Sequence, residues 1–107
     1  MTRDATQGQL EVLLLRVLSR GPAHGYAVIS ALKETSGGVF DLPEGTVYPS
    51  LHRLEDAGLL SSDWDSSSGR RRRVYQLTAR GEASLSTGAN TWKRFSTGMN
   101  AVLGMGA

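Results

Sequence analysis

The sequence contains no cysteine. That excludes a disulfide framework and thiolate chemistry, and it fits a reducing interior. Long apolar runs are lacking too. The most apolar stretch, Leu10 to Leu18, is broken by Glu11 and Arg16 and falls far short of the roughly 20 residues that a membrane helix needs. No apolar signal core follows Met1-Thr2-Arg3-Asp4, so a cytoplasmic chain without membrane contacts is expected. Histidine is scarce. With only His24 and His52 available, a histidine-based metal site has too few ligands, and His24 reads as a loop or helix-start residue. No Ser–His–Asp set, paired carboxylates, phosphate-cradling glycine loop or metal-ligand cluster can be made out. Catalysis, a cofactor and a metal are therefore not expected.

What is present bounds the fold. The chain has 107 residues, 39% of them apolar, enough for one compact body with a core. A net charge of +2 decides little, but its distribution is informative. Arg70, Arg71, Arg72 and Arg73 form one block that holds four of the 12 Lys and Arg residues. Such a block fits either a polyanionic partner or a solvated charged turn.

Periodicity predicts a helix over residues 7–19, with Leu10, Leu13, Leu14, Val17 and Leu18 as its apolar stripe. Gly21-Pro22 ends it. A second helix is expected over about His24 to Thr35, with Val28, Ile29 and Leu32 facing inward and Ser36-Gly37-Gly38 closing it. Val39 to Leu42 is a connector. A third helix spans about Pro43 to Ala57, with Val47, Leu51 and Leu54 at i, i+4, i+7 and Gly58 at its end. Pro49 falls in its first two turns, where a missing N–H costs less than it would mid-helix. Leu59 to Asp65 reads as a strand with Leu60 and Trp64 on one face, and Trp64 is expected to pack the hairpin. Ser66 to Gly69 is a loop and Arg71 to Leu77 the returning strand. A lone hairpin of this kind must lean on the helices. Thr78 is the expected N-cap of a last helix. There Leu85, Trp92, Phe95, Met99 and Val102 step by 7, 3, 4 and 3, the alternation of a heptad seam. Gly88, Gly98 and Gly104 weaken that helix by propensity, so it wants a partner to pack on.

The order helix, helix, helix, hairpin, long helix is mainly α with a small β-hairpin. It is the layout of a winged helix-turn-helix with a long C-terminal dimerisation helix. In that layout the third helix enters the major groove of double-stranded DNA and the wing reaches the neighbouring backbone. The expected division is 1–78 for DNA binding and 79–107 for dimerisation. Opposite its core stripe, the third helix carries Gly45, Pro49, His52, Arg53 and Asp56, flanked by Thr46 and Tyr48. Arg53 and Tyr48 suit phosphate or base-edge contacts; an ordinary solvated face would look much the same. On the wing, alternation separates Arg70 and Arg72 from Arg71 and Arg73, with Asp63 and Asp65 across the hairpin as pairing partners for some of them. Tyr26 suits either a DNA-facing or a packing role.

Three sequence fragments carry a resemblance. They are Pro22-x-His24-Gly25-Tyr26, then Gly45-Thr46-Val47-Tyr48-Pro49-x-Leu51-x-Arg53-Leu54-Glu55-x-x-Gly58-Leu59-Leu60, then Gly69-Arg70-Arg71-Arg72-x-x-Tyr75-x-Leu77-Thr78-x-x-Gly81. In this order and spacing the chain resembles the PadR family of bacterial transcriptional regulators, and its single C-terminal helix resembles the family's short subgroup. The resemblance implies a homodimeric winged-helix protein, usually a repressor, joined through its C-terminal helices. It implies that Gly25, Tyr26, Thr46, Tyr48, Pro49, Arg53, Arg70, Arg71 and Arg72 serve DNA binding. It also implies a small aromatic or apolar effector, for which Trp92, Phe95 and Met99 at the dimer seam are the candidate residues; plain interface packing is the other role open to them. The competing reading is a winged helix that binds protein rather than specific DNA, and that reading has no use for four arginines at a hairpin tip.

Overall fold

A computed structural model describes residues 3–106. Met1 and Thr2, where the signal segment was sought, and Ala107 lie outside the described residues. Seven elements follow in order: α1 (Arg3–Leu18), β1 (Ala23–His24), α2 (Gly25–Thr35), α3 (Glu44–Asp56), β2 (Leu60–Asp65), β3 (Arg72–Leu77) and α4 (Ala79–Leu103).

Helix α1 is the hub. It packs against α2, α3, β3 and α4, so it needs apolar residues on more than one side. Leu14, Leu15 and Leu18 are fully buried, whereas Leu10, Leu13 and Val17 are only partly covered. Leu15 lies outside the expected stripe and is a correction to it: a one-sided stripe suits a surface helix, and α1 is covered on two sides. Around it close Val28 and Leu32 of α2, Val47, Leu51 and Leu54 of α3, Leu60 of β2 and Tyr75 of β3.

The hairpin is not alone. Strand β1 pairs antiparallel with β3, Ala23 opposite Tyr75 and His24 opposite Val74, giving a three-stranded sheet in the order β1-β3-β2. Two residues are too few to show alternation, which is why β1 left no sequence signal. In the hairpin Leu60 faces Leu77, Ser62 faces Tyr75, Trp64 faces Arg73 and Asp65 faces Arg72. The returning strand begins at Arg72, so Arg70 and Arg71 belong to the turn.

The helix ends hold the sheet in place. Gly58 takes φ +81°, and Leu59 N–H donates to the Leu54 carbonyl at 2.9 Å, a left-handed stop that only glycine adopts cheaply. The Thr78 hydroxyl donates to the Gly58 carbonyl at 2.7 Å and accepts from Gly81 N–H at 3.1 Å, capping α4 as expected. A Cβ at Gly81 would run into the Leu59 carbonyl.

The first turns of α4 pack on the body. Leu85 adds to the core, and at Gly88 the Val12 side chain occupies the space a Cβ would need. The glycine that lowers helix propensity is the one that lets α1 and α4 touch. Beyond Gly88 the helix leaves its own body. Trp92, Phe95, Met99, Val102 and Leu103 are all exposed, Val102 by 87%. Among the described residues no helix is long and apolar enough to cross a membrane.

Candidate nucleic-acid interface

On α3 the side away from the core presents Gly45, Thr46, Pro49, His52 and Arg53 to solvent, while Tyr48 is half-buried. Tyr48 is placed by Gly25. A Cβ at Gly25 would fall inside the Tyr48 ring, so the absence of a side chain at the start of α2 is what admits the phenol. Gly25 itself is buried, and it shapes the surface from below. Tyr26 next to it is 57% exposed and meets Tyr48 edge-on, with ring centroids 6.2 Å apart. Of the two roles open to Tyr26 from sequence, the exposure favours the outward one.

Both phenols are weaker acids than usual. The Glu44 carboxylate, by hydrogen bonding and then by charge, raises the Tyr26 pKa. Burial, then Glu44, raises that of Tyr48. Both hydroxyls keep their protons: that of Tyr26 is donated to Glu44, and that of Tyr48 can donate to a phosphate oxygen.

Ser50 is fully buried beneath this face. Its hydroxyl donates to the Thr46 carbonyl at 2.9 Å and accepts from Arg53 Nη2 at 2.7 Å, which satisfies it and holds Arg53 along the helix.

The four arginines divide. Arg70 and Arg71 are exposed at the tip, the Arg71 guanidinium lying 4.4 Å from the Trp64 ring centre. Arg72 and Arg73 are half-buried and face opposite sides of β3, as alternation requires. Arg72 Nη1 lies 2.9 Å from His24 Nε2. Guanidinium only donates, so Nε2 is the acceptor and Nδ1 carries the ring hydrogen. That tautomer leaves Nδ1 unable to accept from Ala27 N–H, 3.4 Å away. Of the two contacts, the shorter and charge-assisted one to Arg72 prevails.

Arg73 turns the other way. Its Nε donates to Ser62 Oγ at 2.7 Å, its Nη2 lies 3.6 Å from Glu55 Oε2, and its guanidinium is 5.2 Å from the Trp64 ring centre. Ser62 Oγ in turn donates to Glu55. The acid in ion-pair range of Arg73 is thus Glu55 of α3; of the two aspartates expected to pair across the hairpin, Asp65 lies opposite Arg72 and feels its charge without a close ion pair, while Asp63 lies opposite Val74. Asp65 is engaged instead by the Ser67 amide and hydroxyl, both at 3.0 Å, which hold its carboxyl below the usual aspartate pKa. Trp64 packs the hairpin through its arginines: it is 53% exposed and carries the Arg71 and Arg73 guanidinium groups on its ring.

Three segments distant in sequence therefore share one surface. Arg70 acts electrostatically on Tyr26, and Arg72 on Tyr48. Residues 24–26, 44–53, Arg70 and Arg72 meet there, whereas Arg71 and Arg73 lie on the Trp64 side of the wing. Trp92, Phe95 and Met99 lie elsewhere, on the free end of α4, where the Trp92 and Phe95 rings stack with centroids 5.4 Å apart.

Residues 14–87 match the model of the transcriptional regulator PadR-like family. The chain belongs to the PadR-like family. Its fold agrees with solved PadR structures. It is 32% identical to a PadR family transcription regulator from Clostridium difficile R20291, with a TM-score of 0.77 over 87% of this chain and 96% of the other. It is 31% identical to a PadR family regulator from Eggerthella lenta, with a TM-score of 0.73 over 89% and 86%. Among curated relatives, the transcriptional regulator Rv3488 of Mycobacterium tuberculosis is 47% identical over 53 residues, half of each chain. The PadR-like chain is accordingly a winged-helix, DNA-binding transcriptional regulator and not an enzyme. The matched segment takes in the whole interface described above and stops at Thr87, short of the exposed aromatic end of α4.

Sequence reading overlooked Ser50, Glu55 and Ser62, and it named His24 and Arg73 without the partners that the structure gives them. Ser50 carried a faint signal, lying three residues before Arg53 on one helix face. The others meet across elements, and their pairing follows from sheet register and from how α3 sits against β2.

Proposed function

We propose that this PadR-like regulator binds a pseudo-palindromic operator as a homodimer, represses transcription there, and lets go when a small aromatic or apolar molecule binds between the C-terminal helices. The observation that carries the DNA side is the convergence of α3, the start of α2, Arg70 and Arg72 on one exposed face. In this reading Thr46, Tyr48, Pro49 and Arg53 enter the major groove. Tyr26, Arg70, Arg71 and Arg72 address the backbone beside it, and Gly25 supports Tyr48 from beneath.

The dimer reading rests on α4. An aromatic and methionine face left bare on a 25-residue helix marks an interface. A groove of about 460 Å³ between α1 and α4, lined by Val12, Leu15, Ala83 and Gly88, continues that face and suits a second α4 from another copy. Residues 79–107 then form the dimerisation element and 1–78 the DNA-binding one, with the first turns of α4 serving both. The Trp92–Phe95 stack offers a flat apolar surface for a planar effector. An effector there acts only if it binds the released arrangement more tightly than the DNA-bound one.

Selection of bound duplexes from a random pool at two salt concentrations tests the proposal. An enriched inverted repeat with half-sites about one helical turn apart supports it. Binding that fades with salt and enriches no sequence overturns it.

A further inference from the structure

We propose that Glu55 and Arg73 are positioning residues that lock the wing to the recognition helix, and that Arg73 is not itself a DNA contact. This rests on the DNA-binding reading above.

The lock sits where the wing leaves the body. Residues 63–71 are exposed throughout, whereas Ser62 and Arg73 are half-buried. Beyond that rung the hairpin has no helix beneath it, and two strands alone do not hold a fixed direction. At the rung, the Arg73 guanidinium is engaged on three sides by Ser62 Oγ, Glu55 Oε2 and the Trp64 ring. The Ser62 hydroxyl closes the triangle by donating to Glu55. Glu55 lies in the last turn and a half of α3 and Arg73 in the wing, so the triangle fixes one element against the other. A phosphate reaching Arg73 would have to break it. Arg70 and Arg71 at the tip form no ion pair among the described residues and reach DNA without that cost.

The isolated pair is weak. With side chains 39% and 26% exposed, it ranks with surface ion pairs of little net worth. Its consequence is geometric: a few degrees of swing at the rung moves the tip arginines off their phosphates.

Charge alone predicts the opposite effect of the obvious variant, which makes the test decisive. Glu55 is an anion beside a surface that binds a polyanion, so removing its charge should tighten DNA binding unless Glu55 positions the wing. The dimeric full-length protein is titrated with its selected duplex and with a scrambled duplex, as wild type, Glu55→Gln, Arg73→Gln and the double variant. The lock predicts that Glu55→Gln weakens the selected duplex roughly tenfold, that scrambled binding holds or tightens, and that the double variant is no worse than Arg73→Gln alone. Because each of these variants frees the same tip arginines from their phosphates, the salt slope falls by the same amount in Glu55→Gln, Arg73→Gln and the double variant. A Glu55→Gln protein that binds the selected duplex as well as wild type or better overturns the proposal. So does a salt slope that drops by about 0.9 more in Arg73→Gln than in Glu55→Gln, the mark of a phosphate contact made by Arg73 itself. Ser62→Ala, which removes only a hydroxyl, must act in the same direction and carries the test if Glu55→Gln melts early. A wild type that fails to distinguish the two duplexes refutes the operator reading instead. The lock is then judged without DNA, by ¹⁵N order parameters of amides 63–71. They must fall in Glu55→Gln, and unchanged values refute it.

Discussion

Gly25 and Gly81 both exclude a Cβ, yet what each would strike differs. At Gly81 the obstacle is the Leu59 carbonyl, part of a backbone that cannot step aside. Gly81→Ala is therefore expected to destabilise by about 1–3 kcal/mol, lowering Tm by several degrees in a thermal melt. At Gly25 the obstacle is the Tyr48 ring, a side chain that can swing outward. Gly25→Ala should cost less stability and more DNA affinity, because it displaces a surface phenol. Equal loss of Tm in the two variants would contradict this difference. Asp65 gives a titration at the same scale. Its folded pKa is depressed by the Ser67 hydrogen bonds, so its support of the turn is present above the ordinary aspartate pKa and fades as pH falls through the folded value. NMR titration should place its midpoint below that of an unconstrained aspartate, and Ser67→Ala should move it back up.

Among the elements, the wing is the one whose residues do unlike things. Arg70 and Arg71 extend from the turn, while Arg72 and Arg73 are tied to His24 and Glu55. Arg70→Ala and Arg71→Ala should each lower the salt slope of DNA binding by about 0.9, the signature of one phosphate contact apiece, and leave Tm nearly unchanged. Trp64→Ala should weaken binding with no change of slope, since the indole holds guanidinium groups without carrying charge. The helices show what periodicity can and cannot supply. For α3 the stripe of Val47, Leu51 and Leu54 is buried as expected. For α1 a single stripe was too narrow, because a helix covered on two sides buries Leu15 beside that stripe and leaves only a narrow exposed side at Gln9 and Arg16. Strand β1 was invisible, since its pairing with β3 depends on where α2 begins.

At the scale of the whole molecule, the chain is elongated, 52 × 28 × 24 Å, because α4 runs past the body that it caps. Its free end concentrates the exposed large apolar residues Trp92, Phe95, Met99, Val102, Leu103 and Met105. Replacing Trp92 and Phe95 with serine should shift sedimentation from dimer to monomer while the wing and α3 keep their fold. Affinity for a two-half-site duplex should then fall steeply, with single half-site binding changed little. A double variant that remains dimeric would place the interface elsewhere.

The sequence alone determined the helix order, the hairpin, the heptad spacing of α4 and the family, because these depend on local periodicity, glycine stops and motif spacing within one stretch of chain. It determined that four consecutive arginines belong to the wing. Which of them reach outward and which clamp the wing was decided only by the tertiary structure. Strand alternation sends Arg72 and Arg73 to opposite faces, but the partner waiting on each face comes from another element, 48 residues away at His24 and on the far side of β2 at Glu55. The same holds for Tyr48 over Gly25 and Val12 against Gly88. A missing side chain acquires meaning only from the atom that fills its space, and that atom is brought there by packing.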